Sequence, residues 1–171
     1  MPQPPKPHKA PEPPHHKMGD ESRREDVLVL NTEENAHRAI ATAQTAVSDL
    51  EAGNVFLKRE PRGELIVKGV LSFNGMPVAA LRFNPASGAL MPKGLHPLPC
   101  DAPDSLEKFR AELGILVKSV KVMPGAEFRE PEFCWAVPLV HSGRIVADIK
   151  ISGSGDQVIE DRKLVEELRQ Q

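Results

Sequence analysis

Apolar residues between positions 36 and 50 recur every three or four residues, which is the pattern of an amphipathic helix with one buried face. We expect this helix to begin after Asn31, whose side chain is a suitable N-cap, with Glu34 at the third helical position. We expect it to stop before Gly53. The apolar face comprises Ala36, Ala39, Ile40, Ala43, Ala46, Val47 and Leu50.

The chain after this helix is divided into short apolar segments by turn residues, which indicates an antiparallel sheet. Asn74 and Gly75 form a strong signal for a two-residue hairpin. Asn84–Gly88 has turn chemistry, because Asn and Gly tolerate left-handed backbone angles. The predicted strands are Asn54–Arg59, Glu64–Phe73, Pro77–Phe83 and a short final strand at Ala89–Met91.

The same helix-and-strand pattern occurs twice, which predicts an internal duplication. Positions 71–83 align with positions 139–151 at four identities, and six apolar helix positions between 36 and 50 align with six others between 106 and 120. Asp104 is the expected N-cap of the second helix, with Glu107 completing a capping box. The identical pairs are Leu71/Leu139, Gly75/Gly143, Val78/Val146 and Ala79/Ala147, and the second helix carries Leu106, Phe109, Leu113, Leu116, Val117 and Val120.

The second half repeats the hairpin, with predicted strands Glu132–His141 and Arg144–Ile151 around Ser142 and Gly143. Pro138 has no backbone donor, which predicts an edge position or a bulge on its strand.

The alternation along the last strand places Ala147, Ile149 and Ile151 on the buried face, so we expect Asp148 and Lys150 to point to water. Ser152–Asp156 is the turn equivalent to Asn84–Gly88. A short C-terminal helix is predicted from Asp161 on the strength of Leu164, Val165 and Leu168.

These elements predict an α+β fold built from two helix-plus-antiparallel-sheet repeats. Four prolines between positions 92 and 103 exclude a helix from the connection. Each half has about 60 residues, and a core of that size supplies only about 3–5 kcal/mol, so we expect the halves to pack together. The predicted organisation is a tail at 1–25, a first repeat at 26–92, a linker at 93–103 and a second repeat with the C-terminal helix at 104–171.

The N-terminal tail has a composition of its own, because seven of the 17 prolines lie between Met1 and Pro14 and no apolar run is present. Such a segment is expected to be disordered or polyproline-like. Its histidines, His8, His15 and His16, are candidate ligands for Ni, Cu or Zn, and the alternative interpretation is a solvated tether. No signal peptide is visible, so the chain as written is expected to be cytoplasmic, or extracytoplasmic if a leader was removed.

Charge and hydropathy exclude two classes of protein. The 22 basic and 24 acidic side chains nearly cancel, which disfavours a globally basic nucleic-acid binder. No apolar run approaches the length of about 18 residues that marks a transmembrane helix, so none is expected. Cys100 and Cys134 form no CxxC motif; they are expected to be free thiols in the cytoplasm, whereas an exported chain could pair them.

One family resemblance rests on these segments together. The chain resembles the PepSY domain, which opens with an Ala-rich helix and closes with a turn of the Asn/Asp-x-x-Ser/Thr-Gly type. Positions 105–160 resemble a degraded copy, whose Ser152–Asp156 departs from that ending. The segments that carry the resemblance are Ala36–Ala43, Val55–Glu60, Leu65–Phe73, Gly75, Val78–Phe83 and Asn84–Leu90.

The resemblance implies a small module with a helix packed on an antiparallel sheet. Such domains occur in protease propeptides, in membrane-associated reductases and as stand-alone modules, and they are usually non-catalytic and often extracytoplasmic.

Residues able to do chemistry are scattered rather than grouped. Neither cysteine lies at a strand-to-helix elbow, so we expect no Cys/His nucleophile. Gly153 and Gly155 precede a short strand, which favours a turn over a phosphate loop. Two sets are interpreted as ordinary solvated surface: the carboxylates Glu33, Glu34, Glu107, Glu112, Glu166 and Glu167, and the basic residues Arg59, Arg62, Lys68 and Arg82.

Trp135 is the only tryptophan, and beside Phe133 it is a candidate contact for a partner protein. Core packing opposite the second helix is the alternative, and we favour it. The sequence therefore predicts a non-catalytic protein-binding, regulatory or accessory module without a cofactor. Two alternatives remain open: a metal-handling protein that uses the tail histidines, and an accessory subunit of a redox complex.

Overall fold

The computed structural model describes residues 1–5, residue 11 and residues 18–171, and it confirms the α+β class. Two antiparallel sheets are accompanied by four helices in this part of the chain. None of these helices is long and apolar enough to cross a membrane. The elements of the first half are α1 (Met18–Leu30), α2 (Glu33–Ala46), β1 (Glu51–Arg59), β2 (Leu65–Phe73), β3 (Met76–Phe83) and β4 (Leu90–Met91). Those of the second half are α3 (Glu107–Leu116), β5 (Lys121–Val122), β6 (Glu127–Arg129), β7 (Cys134–His141), β8 (Arg144–Ser152) and α4 (Arg162–Arg169).

Position 25, the predicted boundary between the tail and the first repeat, lies inside α1. The C-terminal end of α1 is held against the second half: a Cβ on Gly153 would stand only 2.8 Å from the side chain of Leu30. The histidines of the predicted tail, His8, His15 and His16, lie outside the described residues.

Helix α2 starts and stops slightly away from the predicted points. Its N-cap is Thr32 rather than Asn31, since the Thr32 hydroxyl oxygen accepts the Asn35 backbone N–H at 3.2 Å. It ends at Ala46 and continues as a single 3₁₀ turn, so Gly53 lies within β1 and not at a helix end. A Cβ on Gly53 would stand 3.0 Å from the Ser72 hydroxyl of the neighbouring strand, which explains the small residue there.

The strands of the first half lie within about three residues of the predicted bounds and form a sheet in the order β1-β2-β3-β4. The hairpin between β2 and β3 turns at Asn74 and Gly75, both with positive φ (50° and 77°). The equivalent turn of the second half, Ser142 and Gly143, has nearly the same angles (50° and 74°). Both predicted hairpins are therefore confirmed with the same turn geometry.

In the second sheet β7 is central, with β8 along one side and the short strands β5 and β6 along the other. Of the two expectations for Pro138, an edge position or a bulge, the edge position is therefore wrong, whereas the bulge agrees with the irregular register of β7 and β8 beside it. The outer strand is interrupted opposite this residue, where the Pro138 carbonyl accepts the Met123 N–H at 3.0 Å. Since the backbone N and C=O of one strand residue point to the same side, the missing donor faces that interruption. A register shift follows immediately, between Leu139 and Val140.

Each main helix lies against the sheet of the other half. Helix α2 packs on β5, β7 and β8, and α3 packs on β1 and β2. One continuous core contains buried residues of both helices and both sheets. The contact of α3 is close enough to need a glycine beneath it, because a Cβ on Gly69 would stand 2.9 Å from the Leu113 side chain.

Helix α3 begins without the predicted capping box. It starts at Glu107, and its N-cap position, Leu106, offers no side-chain acceptor. The Ser105 hydroxyl accepts the Glu107 N–H instead, at 3.2 Å, so the Asp104 cap is wrong.

The two halves are joined by reciprocal hydrogen bonds. Lys93 donates its backbone N–H to the Ile145 carbonyl at 2.8 Å, and Asp161 donates to the Pro77 carbonyl at 2.9 Å. The alignment that places position 71 on position 139 also places 93 on 161 and 77 on 145. The two hydrogen bonds therefore join aligned positions, and the half that donates in one bond accepts in the other. The same alignment converts the pairing of positions 83 and 90 into that of 151 and 158. The aligned segments of the two halves thus make reciprocal contacts.

Helix α4 covers the other face of the first sheet, where Leu164 packs with Phe56 and Val70. Its Glu167 is only 7% exposed and contacts Lys58 Nζ at 2.5 Å and Lys68 Nζ at 2.8 Å. The expectation that this carboxylate is solvated is wrong, because α4 lies over the first sheet and its Glu167 side chain contacts lysines of β1 and β2. Burial works to raise the pKa of Glu167, but the hydrogen bonds from the two lysines outweigh it and hold the pKa below its usual range.

Asp148 and Lys150 do not point to open water as predicted. Lys150 is 8% exposed, and its Nζ lies 2.6 Å from Glu132 Oε2 and 3.7 Å from Asp161 Oδ1. Asp148 accepts from Arg129 at 3.0 Å and also contacts Lys93. Residues of β6 and of neighbouring loops lie against this face of β8, so its charges form ion pairs that tie those segments to the strand.

Candidate functional site

An open groove of about 620 Å³ lies beside α2. Helix α2 forms one wall, the turn between β2 and β3 forms the second, and the segment after β8 forms the third. We call it the α2 groove. Its lining consists of Arg38, Ala41, Thr42, Thr45, Ala46, Asp49, Phe73, Asn74, Met76, Asp156, Gln157 and Val158.

Short side chains on α2 create the space. Ala41, Thr42, Thr45 and Ala46 lie three or four positions apart in pairs, so they share one side of the helix. The Thr42 hydroxyl donates to the Gly155 carbonyl at 2.6 Å, and the Thr45 hydroxyl donates to the Ala41 carbonyl at 3.1 Å. Because both hydroxyl hydrogens are used by the backbone, this wall is largely apolar.

The opposite wall is supplied by the β2–β3 hairpin. Phe73 and Met76 are paired across the turn, and both pack against the core while reaching the groove. Val158, bridged to Ile151 of β8, closes the third side. The groove therefore presents two large apolar side chains opposite the short ones of α2.

The loop at 152–156 is fixed against α2. Gly155 has φ 82°, and a Cβ there would stand 2.6 Å from the Asn35 carbonyl, so only glycine fits. The hydroxyls of Ser154 and Ser152 donate to Asp156 Oδ1 at 2.7 and 3.0 Å. These two hydrogen bonds lower the pKa of Asp156, which keeps its carboxylate ionised.

The free charge of the groove is negative. The Arg38 guanidinium contacts Glu34 Oε1 at 3.0 Å and the Ser154 carbonyl at 3.1 Å, so its charge is already matched. Asp49 and Asp156 make no ion pair with a basic side chain among the described residues. The positive charge of Arg38 lowers the pKa of Asp156 less than the serine hydrogen bonds do. An occupant with a positive group is thus favoured over one with a negative group.

A second cavity corresponds to the α2 groove in the aligned halves. The alignment of the strands carries Phe73, Asn74, Met76 and Val158 to His141, Ser142, Arg144 and Leu90, and these four line a cavity of about 360 Å³ together with Pro92 and Val146. We call it the counterpart pocket. It is smaller, and a histidine and an arginine replace the phenylalanine and the methionine. The two aligned positions therefore differ in size, polarity and charge.

The residues predicted to contact a partner are not in the groove. Trp135 is 3% exposed, donates its indole N–H to the Gly153 carbonyl at 2.9 Å and stacks edge-to-face on Phe128. These contacts favour the core interpretation of Trp135. Phe133 is half-buried at a positive φ of 48° and lines a separate cavity of about 390 Å³, to which Trp135 does not contribute.

Thiol and metal chemistry find little support in the described residues. Cys134 is buried, and burial raises the pKa of its thiol, with the nearby Glu132 carboxylate acting in the same direction. Both cysteines are free rather than paired. No group of three or more His, Cys, Asp or Glu residues is arranged to hold a metal in the described ranges.

Comparison of the chain with protein-family models, with curated proteins and with solved structures gives no match. The PepSY resemblance therefore stays a prediction.

The α2 groove is not predicted by the sequence. The local signal was the run of Ala and Thr on the side of α2 next to its apolar stripe. The other two walls lie far along the chain, at 73–76 and 156–158, so only the fold reveals that they meet.

Proposed function

We propose that the chain is a non-catalytic protein-binding module, built from two PepSY-like halves, and that the α2 groove is where it binds a partner. The single observation that carries the proposal is the groove itself: an open, apolar concavity of about 620 Å³ with peripheral charges. Binding sites are typically concavities of this size with a few polar groups that orient the ligand.

The surroundings of the groove support binding rather than catalysis. A nucleophile needs an adjacent base or a lowered pKa, and the α2 groove is lined by neither Cys nor His. Its two carboxylates come from different elements, and Asp156 is held ionised by serine hydroxyls rather than poised to exchange a proton near neutral pH. The walls belong to elements fixed by the core, which suits a preformed recognition surface.

The test is affinity capture from a native lysate with three proteins: the wild type, Ala41→Trp and Ala111→Trp. Ala41 lines the groove, whereas Ala111 is its exposed equivalent on α3 when the two helices are aligned, and it lines none of the cavities described above. The expected result is a protein retained by the wild type and by Ala111→Trp but lost with Ala41→Trp. Partners retained equally by all three would contradict the assignment of the groove.

A further inference from the structure

We propose that the α2 groove takes a short extended segment of a partner protein, in which apolar side chains are flanked by basic ones. This inference rests on the proposed function and specifies the chemistry of the segment that the groove recognises.

The length of the groove sets the length of the segment. The wall formed by α2 and the 3₁₀ turn after it extends from Arg38 to Asp49, and eight helical steps of about 1.5 Å followed by three 3₁₀ steps of about 2.0 Å give roughly 18 Å. An extended chain covers about 3.3 Å per residue, so about five residues span this distance. The groove is open to solvent rather than enclosed, which allows a chain to enter and leave at the two ends.

The walls select apolar side chains in the middle of the segment. Phe73 and Met76 face the short side chains of Ala41 and Ala46 across the space, and the threonine hydroxyls between them are already bonded to the backbone. A side chain placed between these walls meets mainly carbon atoms and hydroxyl groups that already donate to the backbone, so an apolar side chain gains burial there, whereas a polar one loses water for few new hydrogen bonds.

The charges select basic residues at the ends. Asp49 follows the C-terminal end of α2, and Asp156 lies beside its N-terminal half, where Gly155 packs on Asn35. The two carboxylates thus stand near opposite ends of the groove. Arg38, the one basic residue of the lining, is matched by Glu34. A Lys or Arg at either end of the segment therefore meets a carboxylate that has no ion-pair partner in the described chain.

The counterpart pocket provides the contrast within the same molecule. Its lining contains Arg144 and His141 and no carboxylate, so a basic segment is repelled there. Its volume is also a little over half that of the groove. One protein therefore carries a position that accepts a basic apolar segment and a related position that rejects it.

The experiment uses three acetylated and amidated pentapeptides, Lys-Leu-Val-Leu-Lys, Ser-Leu-Val-Leu-Ser and Glu-Leu-Val-Leu-Glu, titrated into the full chain at low and high salt. The protein variants are Asp49→Asn, Asp156→Asn, the groove-filling Ala41→Trp and the charge-reversing Thr45→Lys. Ala111→Trp and Asp104→Asn are the matched controls, since both positions are exposed and outside the groove.

The lysine peptide is expected to bind most tightly and the glutamate peptide most weakly. Each Asp→Asn change is expected to weaken binding of the lysine peptide by about two- to fivefold at low salt, as for exposed ion pairs. The preference is expected to vanish at about 1 M salt, where the screening length is about 3 Å. Ala41→Trp abolishes binding of every peptide, Thr45→Lys reverses the order of the charged peptides, and the controls bind as the wild type does.

Two results overturn the inference and are distinguishable. Equal binding of the three peptides, all blocked by Ala41→Trp, would refute the charge rule while leaving the groove as a site for apolar segments. Peptide binding that Ala41→Trp and Thr45→Lys leave unchanged, or no binding to the wild type at millimolar concentration, would refute the extended-segment inference altogether. The capture experiment then decides separately whether the groove binds a folded partner.

Discussion

Replacing Gly69 by alanine tests the close contact between α3 and the first sheet. The added Cβ would stand 2.9 and 3.0 Å from the two methyl carbons of Leu113 and 3.2 Å from the Phe83 ring. Carbon atoms in contact are normally about 3.5–4.0 Å apart, so neighbours must move by roughly half an ångström or more. Leu113 and Phe83 are fully buried and have no solvent to move into.

The expected cost of Gly69→Ala is that of overpacking a core, about 1–3 kcal/mol. For a domain of this size it lowers Tm by about 2–12 °C. Reduced freedom of the unfolded chain offsets about 0.4–1 kcal/mol of this cost. Thermal and urea unfolding followed by circular dichroism measure both quantities.

The matched control is Gly114→Ala on α3, where a Cβ would meet nothing within 4 Å. It is expected to stabilise the chain by up to about 1 kcal/mol, because alanine favours the helix.

A double-mutant cycle with Leu113→Ala then identifies the contact. Leu113→Ala alone is expected to cost about 2–5 kcal/mol, and the cavity it leaves accommodates the new methyl of Gly69→Ala. The two changes together should therefore cost less than their sum by about 0.5–3 kcal/mol. Strict additivity, or a stabilising Gly69→Ala, would refute the placement of α3 on the first sheet.

Three further predictions concern α4, the loop at 152–156 and the tail. Glu167→Gln is expected to cost about 1–3 kcal/mol at pH 7 by leaving two lysines without their carboxylate. The pKa of Glu167 is lower in the folded protein than in the unfolded chain. Its contribution to stability is therefore complete above the unfolded-state pKa and is lost as the pH falls through the folded-state pKa. The difference in free energy of unfolding between the wild type and Glu167→Gln, measured by urea unfolding, should shrink below about pH 4. Gly155→Ala forces a Cβ to 2.6 Å from the Asn35 carbonyl at a positive φ, so it should destabilise the chain by about 1–3 kcal/mol and weaken peptide binding. If the tail histidines bind metal, titration with Ni, Cu or Zn will show micromolar binding that disappears on removal of positions 1–24; equal binding by both chains would contradict this alternative.

The sequence predicts best what is decided locally. The turn residues Asn74-Gly75 and Ser142-Gly143 fix hairpins whose positions the structure confirms. The apolar periodicity of the two helices identifies their buried faces, although an adjacent residue supplies the cap in place of Asn31.

What the sequence does not predict depends on contacts between distant segments. Nothing local to Lys150 or Glu167 shows that another segment will cover it, so alternation along the strand and helix suggests water. The exchange of helices between the halves is hidden for the same reason, because both sheets offer a suitable apolar face. The α2 groove arises from this exchange, since it joins a helix that packs on one sheet to the hairpin of the other.

If the α2 groove binds the lysine-flanked peptide, amide chemical-shift mapping shows saturable shifts confined to positions 38–49, the turn at 73–76 and positions 155–158, with no change around His141–Arg144. Shifts centred on the counterpart pocket, or none in the groove at saturation, would contradict it.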